Sequence, residues 1–184
     1  MNRTEAKNLL KENLSDENLI KHCLAVGAIM KRLAEHFDQD KEKWEVAGIL
    51  HDIDYEQTKD SPEEHSLKGA EMLKEKGFSD EICHAVKAHN HKHDIELKTM
   101  MDKALFVSDP LSGLIVAATL VLPSKKLKDL KKESIRNRFK EKRFAQGANR
   151  EIIRQSEDLL DLELEKFFQL AYEGMLSISD ELGL

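Results

Sequence analysis

The chain has 184 residues, 40% hydrophobic and 35% charged, with a formal net charge of -6. That length suits one domain, or one domain with an extension, and can bury a sizeable core. The acidic balance argues against a polyanion binder, aromatics at 5% leave little to stack on single-stranded bases, and no apolar run approaches the roughly 18 residues that cross a membrane.

With only 8 glycines and 3 prolines, the composition favours helices. The opening MNRTEAKNLLKENL is charged from its start and lacks the apolar stretch of a signal peptide. Ser15-Asp16 precedes a periodic run with Leu19, Val26, Met30, Leu33 and Phe37 on one face, and His22 falls on that stripe. A short helix from about Lys41 carries Trp44, Ala47 and Gly48 inward and ends near Asp52, so His51 shares their face. Residues 53–61 read as a polar loop. Ser61-Pro62 reads as the N-cap and first-turn proline of a helix closed by Gly77. Ser79 caps the next helix, which runs to about His89, and residues 90–98 form a second polar loop. Thr99 opens a long helix through Leu105, Asp109 and Val116, stopped near Pro123.

Between Lys125 and Arg143 ten basic residues face three acidic ones, whereas residues 144–184 hold three basic and nine acidic. A basic helical segment is thus set against an acidic tail, which beyond Asn149 reads as one or two amphipathic helices. The expected architecture is all-α, with a compact core over residues 1–122 and a helical extension over 123–184 packed on the same domain. Cys23 and Cys83 form no C-x-x-C pair and read as free thiols in a reducing cytoplasm, the expected location.

The chemistry sits on the inner faces of three of these helices. A lone histidine on an apolar stripe is usually a hydrogen-bonded core residue, Asp52 has an ordinary role as a turn cap, and Asp109 as the partner of a buried base. Their conjunction in order, His22, then His51-Asp52, then Asp109, points instead to a cation, because a carboxylate buried in an apolar helix is costly without one. A mixed imidazole and carboxylate set suits Fe, Mn, Zn or Co, with Mg and Ni as further candidates, and leaves positions open for water and substrate.

The segments LIKHCLAVGAIMKRLAEHF, WEVAGILHDID and KALFVSD resemble the HD superfamily of phosphohydrolases, in particular its HDIG-type bacterial members. HSLKGAEMLKEKG and ICHAVKAHN match the same subgroup, and the likeness covers about Leu19 to Val121. It implies a compact helical bundle and metal ligation by His22, His51, Asp52 and Asp109. In dinuclear relatives the histidines matching His65 and His89 bind a second metal, with the carboxylate matching Asp52 between the ions. Those relatives often carry a further histidine where this chain has Asn90, whose amide oxygen, or nearby His91, is the available substitute. With one metal, His65 and His89 would instead contact the substrate phosphate and protonate the leaving oxygen.

Asp54 stands where HDIG proteins usually have glycine. With Glu56 it either accepts a proton from the attacking water, orients a ligand histidine, or is a solvated loop carboxylate. His36, His84 and His93 read as surface histidines. The basic segment is either a phosphate-attracting rim, with Lys125, Lys126, Arg136, Arg143 or Arg150 reaching the substrate, or a solvated face paired with the acidic tail. DPLSGLIVAATLVLPSKKL and KRFAQGANR resemble a subgroup of HD hydrolases without an assigned substrate, and Gly113 and Gly147 within them allow close backbone approach.

The resemblance implies hydrolysis of a phosphoester in a nucleotide or related small phosphorylated metabolite, with Asp52, His65 and His89 in the catalytic set, to which the loop carboxylate Asp54 is added from its own chemistry. Neither a membrane nor a nucleic acid is the expected partner. The competing readings are a metal-retaining regulatory or ligand-binding module with little catalysis, and RNA binding through the basic segment.

Overall fold

Side-chain caps set most of the helix starts. The computed structural model describes residues 1–184 and contains helices and turns but no strand. Helix α1 (Arg3–Asn13) opens on a capping box in which Asn2 and Glu5 bond each other's backbone amides. Asp16, Asp40 and Ser79 cap α2 (Glu17–His36), α3 (Lys41–Leu50) and α6 (Asp80–Ala88), and a Thr99–Asp102 box opens α7 (Met100–Leu120). Between them lie α4 (Tyr55–Thr58) and α5 (Leu67–Glu75). After α7 come α8 (Lys132–Lys140), α9 (Arg150–Arg154), α10 (Ser156–Leu160), α11 (Leu164–Leu176) and α12 (Ser179–Leu182).

The charged N-terminus is an amphipathic helix that buries Ala6, Leu9 and Leu10. Two expectations about these elements need correction. Ser61-Pro62 does not start α5: those residues lie in turns, and the helix begins at Leu67 because a distant carboxylate supplies the cap. The acidic tail is four helices rather than one or two, divided at Gln155, at Asp161, whose φ is 51°, and at Ser177-Ile178.

One cluster of 50 buried residues joins Ala6 to Leu184, so Phe167, Leu170 and Met175 from the C-terminal part pack in the same core as Trp44 and Leu105. Burying side chains of this size contributes about 1.5–3 kcal/mol each. The closest pairing is α2 on α3. A Cβ built on Gly48 would stand 2.7 Å from Gly27 Cα, so only a glycine pair lets these helices approach as they do.

The long helix α7 has the length and mean hydropathy, 1.4, of a membrane-crossing segment, contrary to the reading that no run came near one. Here 56% of that window is buried within the bundle, and Asp102, Lys103 and Asp109 interrupt the helix, so its apolarity serves packing. Ion pairs tie the ends of the chain to the middle: Arg3 and Lys7 to Glu181, and Arg3 and Lys31 to the buried Glu45.

Candidate metal centre

His51 and His89 occupy equivalent places, each one residue past the end of its helix, α3 and α6. In both, Nδ1–H donates to the carbonyl three residues back, Gly48 at 2.8 Å and Val86 at 2.6 Å. His22 in α2 gives its Nδ1–H to the Ser112 hydroxyl at 3.0 Å, which itself donates to Asp109 O. His65 gives its own to Asp54 Oδ1 at 3.0 Å. Anchoring Nδ1 fixes the tautomer and leaves the Nε2 lone pair free, the arrangement a metal-ligating imidazole requires.

All four Nε2 atoms converge on Asp52, which is 6% exposed. Asp52 Oδ2 lies 3.7 Å from His22 and 3.4 Å from His51, while Oδ1 lies 3.2 Å from His65 and 3.3 Å from His89. Asp109 Oδ1 completes the first side, 3.1 Å from His22 and 3.8 Å from His51. One carboxylate therefore presents each oxygen to a different pair of imidazoles. His51 Nε2 is fully buried and has no hydrogen-bond partner. An orphaned imidazole nitrogen aimed at two carboxylates fits a cation ligand far better than a core histidine.

The electrostatics agree. Burial opposes the ionised form of Asp52, yet His51, with His65 and His89 beside it, holds its carboxyl well below the ordinary range. Burial likewise opposes ionisation of Asp109, and the imidazoles of His22 and His51 beside it override this. Conversely, His51 is pushed up to about 9 by Asp52 and Asp109 despite burial, and His65 to about 10 by Asp52 and Asp54. Ionised carboxylates among imidazoles drawn toward their cationic form make a centre that attracts positive charge, as protons or as metal ions. The donor atoms group accordingly, with His22, His51 and Asp109 in one set and His51, Asp52 and His89 in another.

Asp54 is completely buried and does not line the cleft, so it has no access to an attacking water. Its Oδ1 holds His65, and its Oδ2 accepts from Ser66 N at 2.8 Å and Gly69 N at 2.9 Å, capping α5 in place of the expected serine. A Cβ on Gly69 would come within 3.1 Å of the Asp54 carboxyl carbon, so glycine makes the room. Asp54 is thus a positioning residue. Asp54→Ala would strand two buried amides and free the His65 ring, and is expected to cost about 2–4 kcal/mol in urea denaturation, with Asp54→Asn recovering part of the loss.

Glu56 accepts from the Ser15 and Asp16 amides and ties α4 to the start of α2. Asn90 is also committed elsewhere: its side chain donates to His65 O and accepts from Lys92 N. Two histidines expected at the surface have work as well. His84 Nδ1 donates to the buried Asp102 at 2.9 Å, and His93 Nε2 donates to His65 O at 2.7 Å.

The cluster lies at the base of a cleft of about 530 Å³ whose exposed rim carries Lys59 and Lys92 together with Tyr55 and His91. These cations went unnoticed in the sequence because they sit in polar loops with no periodicity. Lys125, Lys126 and Arg143 are exposed and do not line this cleft. Arg136 pairs with Glu165 at 2.7 Å and Lys132 with Glu173 at 3.9 Å, joining the basic helix to the acidic tail. Arg150 does not line the cleft either, and turns its guanidinium to backbone carbonyls of residues 139–148.

Residues 19–142 match the HD domain family. The chain belongs to that family. The HD domain is associated with metal-dependent phosphohydrolases, and every residue of the His/Asp cluster falls within the matched stretch. Among curated proteins, the HD chain is similar to Ribonuclease Y of Lawsonia intracellularis, with 31% identity over 139 residues, 74% of this chain and 26% of that protein. It is similar also to Ribonuclease Y of Rubrobacter xylanophilus, with 28% identity over 171 residues, 90% of this chain and 32% of that protein. An uncharacterized protein of Methanocaldococcus jannaschii is 36% identical over 90 residues, 46% of this chain and 52% of that protein. The chain thus spans about a quarter to a third of the Ribonuclease Y proteins it matches. No solved structure matches it.

Proposed function

We propose that this HD protein hydrolyses a phosphoester in a nucleotide or related small phosphorylated metabolite, using divalent metal held by His22, His51, Asp52 and Asp109. The observation that carries the reading is the convergence of four Nε2 atoms on the two oxygens of one buried carboxylate, beneath a rim bearing Lys59 and Lys92. A divalent metal there would supply Lewis acidity, activating water and polarising a phosphoryl oxygen. Lys59 and Lys92 would neutralise the remaining phosphate charge.

We assign His65 and His89 to a second ion rather than to bare phosphate contact. Their Nδ1 atoms are anchored on Asp54 and on Val86 O, so each neutral ring would turn its Nε2 lone pair to an ion beside Asp52. Asp52 Oδ1 would serve that ion and Oδ2 the first.

Elemental analysis of anaerobically purified protein, with phosphate release from an aryl phosphate and from nucleoside monophosphates in added Mn, tests this. Two metals per chain and chelator-sensitive turnover are expected. One metal per chain would return His65 and His89 to the phosphate, and turnover unaffected by chelation would overturn the reading.

Similarity to the Ribonuclease Y proteins favours a second reading, cleavage of an RNA phosphodiester. The basic segment lends it nothing, because its exposed cations lie off the cleft and others are paired with acidic residues. Cleavage of a ribo-oligonucleotide in preference to monophosphates would establish it.

A further inference from the structure

Beside the main cleft a second cavity of about 200 Å³ opens, sharing His22, His89, His91, Asp109 and Gly147 with it. Its remaining walls come from two parts of the chain. Phe106, Pro110 and Gly113 lie on α7, and Ala148, Asn149 and Ile152 on the segment that enters α9. Charged ligating groups are therefore on one side and mostly apolar surface on the other.

Three features shape this compartment. A Cβ on Gly113 or Gly147 would meet nothing within 4 Å, so two positions without side chains leave it open. The wall formed by the 145–149 loop is held by Arg150, which donates to Ala145 O at 2.5 Å, Ala148 O at 2.7 Å, Glu141 O at 3.4 Å, Phe139 O at 3.5 Å and Phe144 O. Such a clamp supports the left-handed backbone of Ala145, φ 43°, which is costly without glycine. Asn149 spends its Oδ1 capping α9 at Glu151 N and Ile152 N, so the polar group it has left for the compartment is the amide nitrogen, a donor.

We infer that this compartment receives the ring of a nucleoside monophosphate whose phosphate lies over the His/Asp cluster, and that Gly147 sets this specificity while Arg150 positions the wall. The inference rests on the phosphohydrolase reading and names its substrate class. Pockets for drug-sized ligands start at about 300 Å³. A smaller compartment that adjoins the ligating residues suits one ring attached to one phosphate rather than a stretch of strand. Phe106 and Ile152 supply apolar contact for the ring, and the Asn149 amide a donor for a ring acceptor.

Calorimetric titration of the full chain with Mn present, using each of the four ribonucleoside monophosphates and inorganic phosphate, tests the compartment separately from turnover. Native protein is expected to bind at least one monophosphate at least about tenfold more tightly than phosphate. In Gly113→Leu, which lines this compartment and not the main cleft, that advantage should vanish while phosphate affinity changes by less than about twofold, and Gly147→Leu should lose the same advantage. Arg150→Lys, which cannot hold five carbonyls, should shift the same way. Monophosphates bound no better than phosphate, variants that weaken both ligands equally or neither, or a ribo-oligonucleotide bound more tightly than monophosphates and untouched by Gly147→Leu would each overturn the inference. Selective monophosphate binding without phosphate release under any metal would instead sink the hydrolase reading and leave the compartment standing.

Discussion

Replacing Asp52 with asparagine is expected to strip the protein of metal and reduce phosphate release by at least about 1000-fold, the scale of losing a central electrostatic group. The substitution keeps the size of the side chain and changes only its charge and one atom. Its carboxylate lies among four imidazole nitrogens at 3.2–3.7 Å, so an amide would turn an N–H₂ group toward one pair of Nε2 atoms. Whichever oxygen is lost, one half of the centre faces a donor where a cation needs an acceptor. The fold should survive, because burial already opposes the ionised carboxylate and asparagine carries no charge to bury. Metals per chain by elemental analysis, the melting temperature and phosphate release decide it together. Native metal content with native turnover in Asp52→Asn would remove the cluster from the reaction, whereas full metal content without turnover would confine Asp52 to the chemical step.

The residues of the His/Asp cluster were legible in the sequence because a helix turns position into direction. His22, His51 and Asp109 each stand three or four residues from inward-facing positions such as Leu19, Gly48 and Leu105, so periodicity alone put them on inner faces. Caps at Asp16, Ser79 and Thr99 were legible for a related reason: a cap bonds amides two or three residues away. What escaped involves partners distant in sequence. Asp54 reaches Ser66 and Gly69, 12 and 15 residues downstream, and nothing local marks a carboxylate that caps another segment's helix. The same distance hid the bonds from His84 to Asp102 and from His93 to His65. The charge of Arg150 suggests a phosphate ligand, but a guanidinium is also five donors in a fork, and the backbone carbonyls of a loop claim them. Pro110 stands inside α7 next to Asp109, although it leaves Phe106 O without a helical donor, a break that only packing against neighbouring helices sustains.

Gly48→Ala is expected to lower both stability and metal affinity. A methyl group there would meet Gly27 Cα at 2.7 Å and Gly27 N at 2.8 Å, both backbone atoms that no rotamer change can move. Overpacking of this kind costs about 1–3 kcal/mol. For a chain of this size that lowers Tm by about 2–12 °C. The strain also reaches the metal centre, because Gly48 O accepts the His51 Nδ1–H and its displacement loosens the ring that aims Nε2 at Asp52 and Asp109. Metal affinity should therefore fall by about 10- to 100-fold alongside the melting temperature, as when other groups that orient a ligand are lost. Gly113→Ala supplies the opposite sign on the same fold. Its site is exposed, in the body of α7, with nothing within 4 Å of the new methyl, so it should gain about 0.5–1 kcal/mol from helix propensity alone. Thermal melts of the two variants beside the native chain measure the difference. If both moved upward, the contact between α2 and α3 would not be limited by its glycines, and the placement of His51 would have to come from its carbonyl bond rather than from the close approach of the two helices.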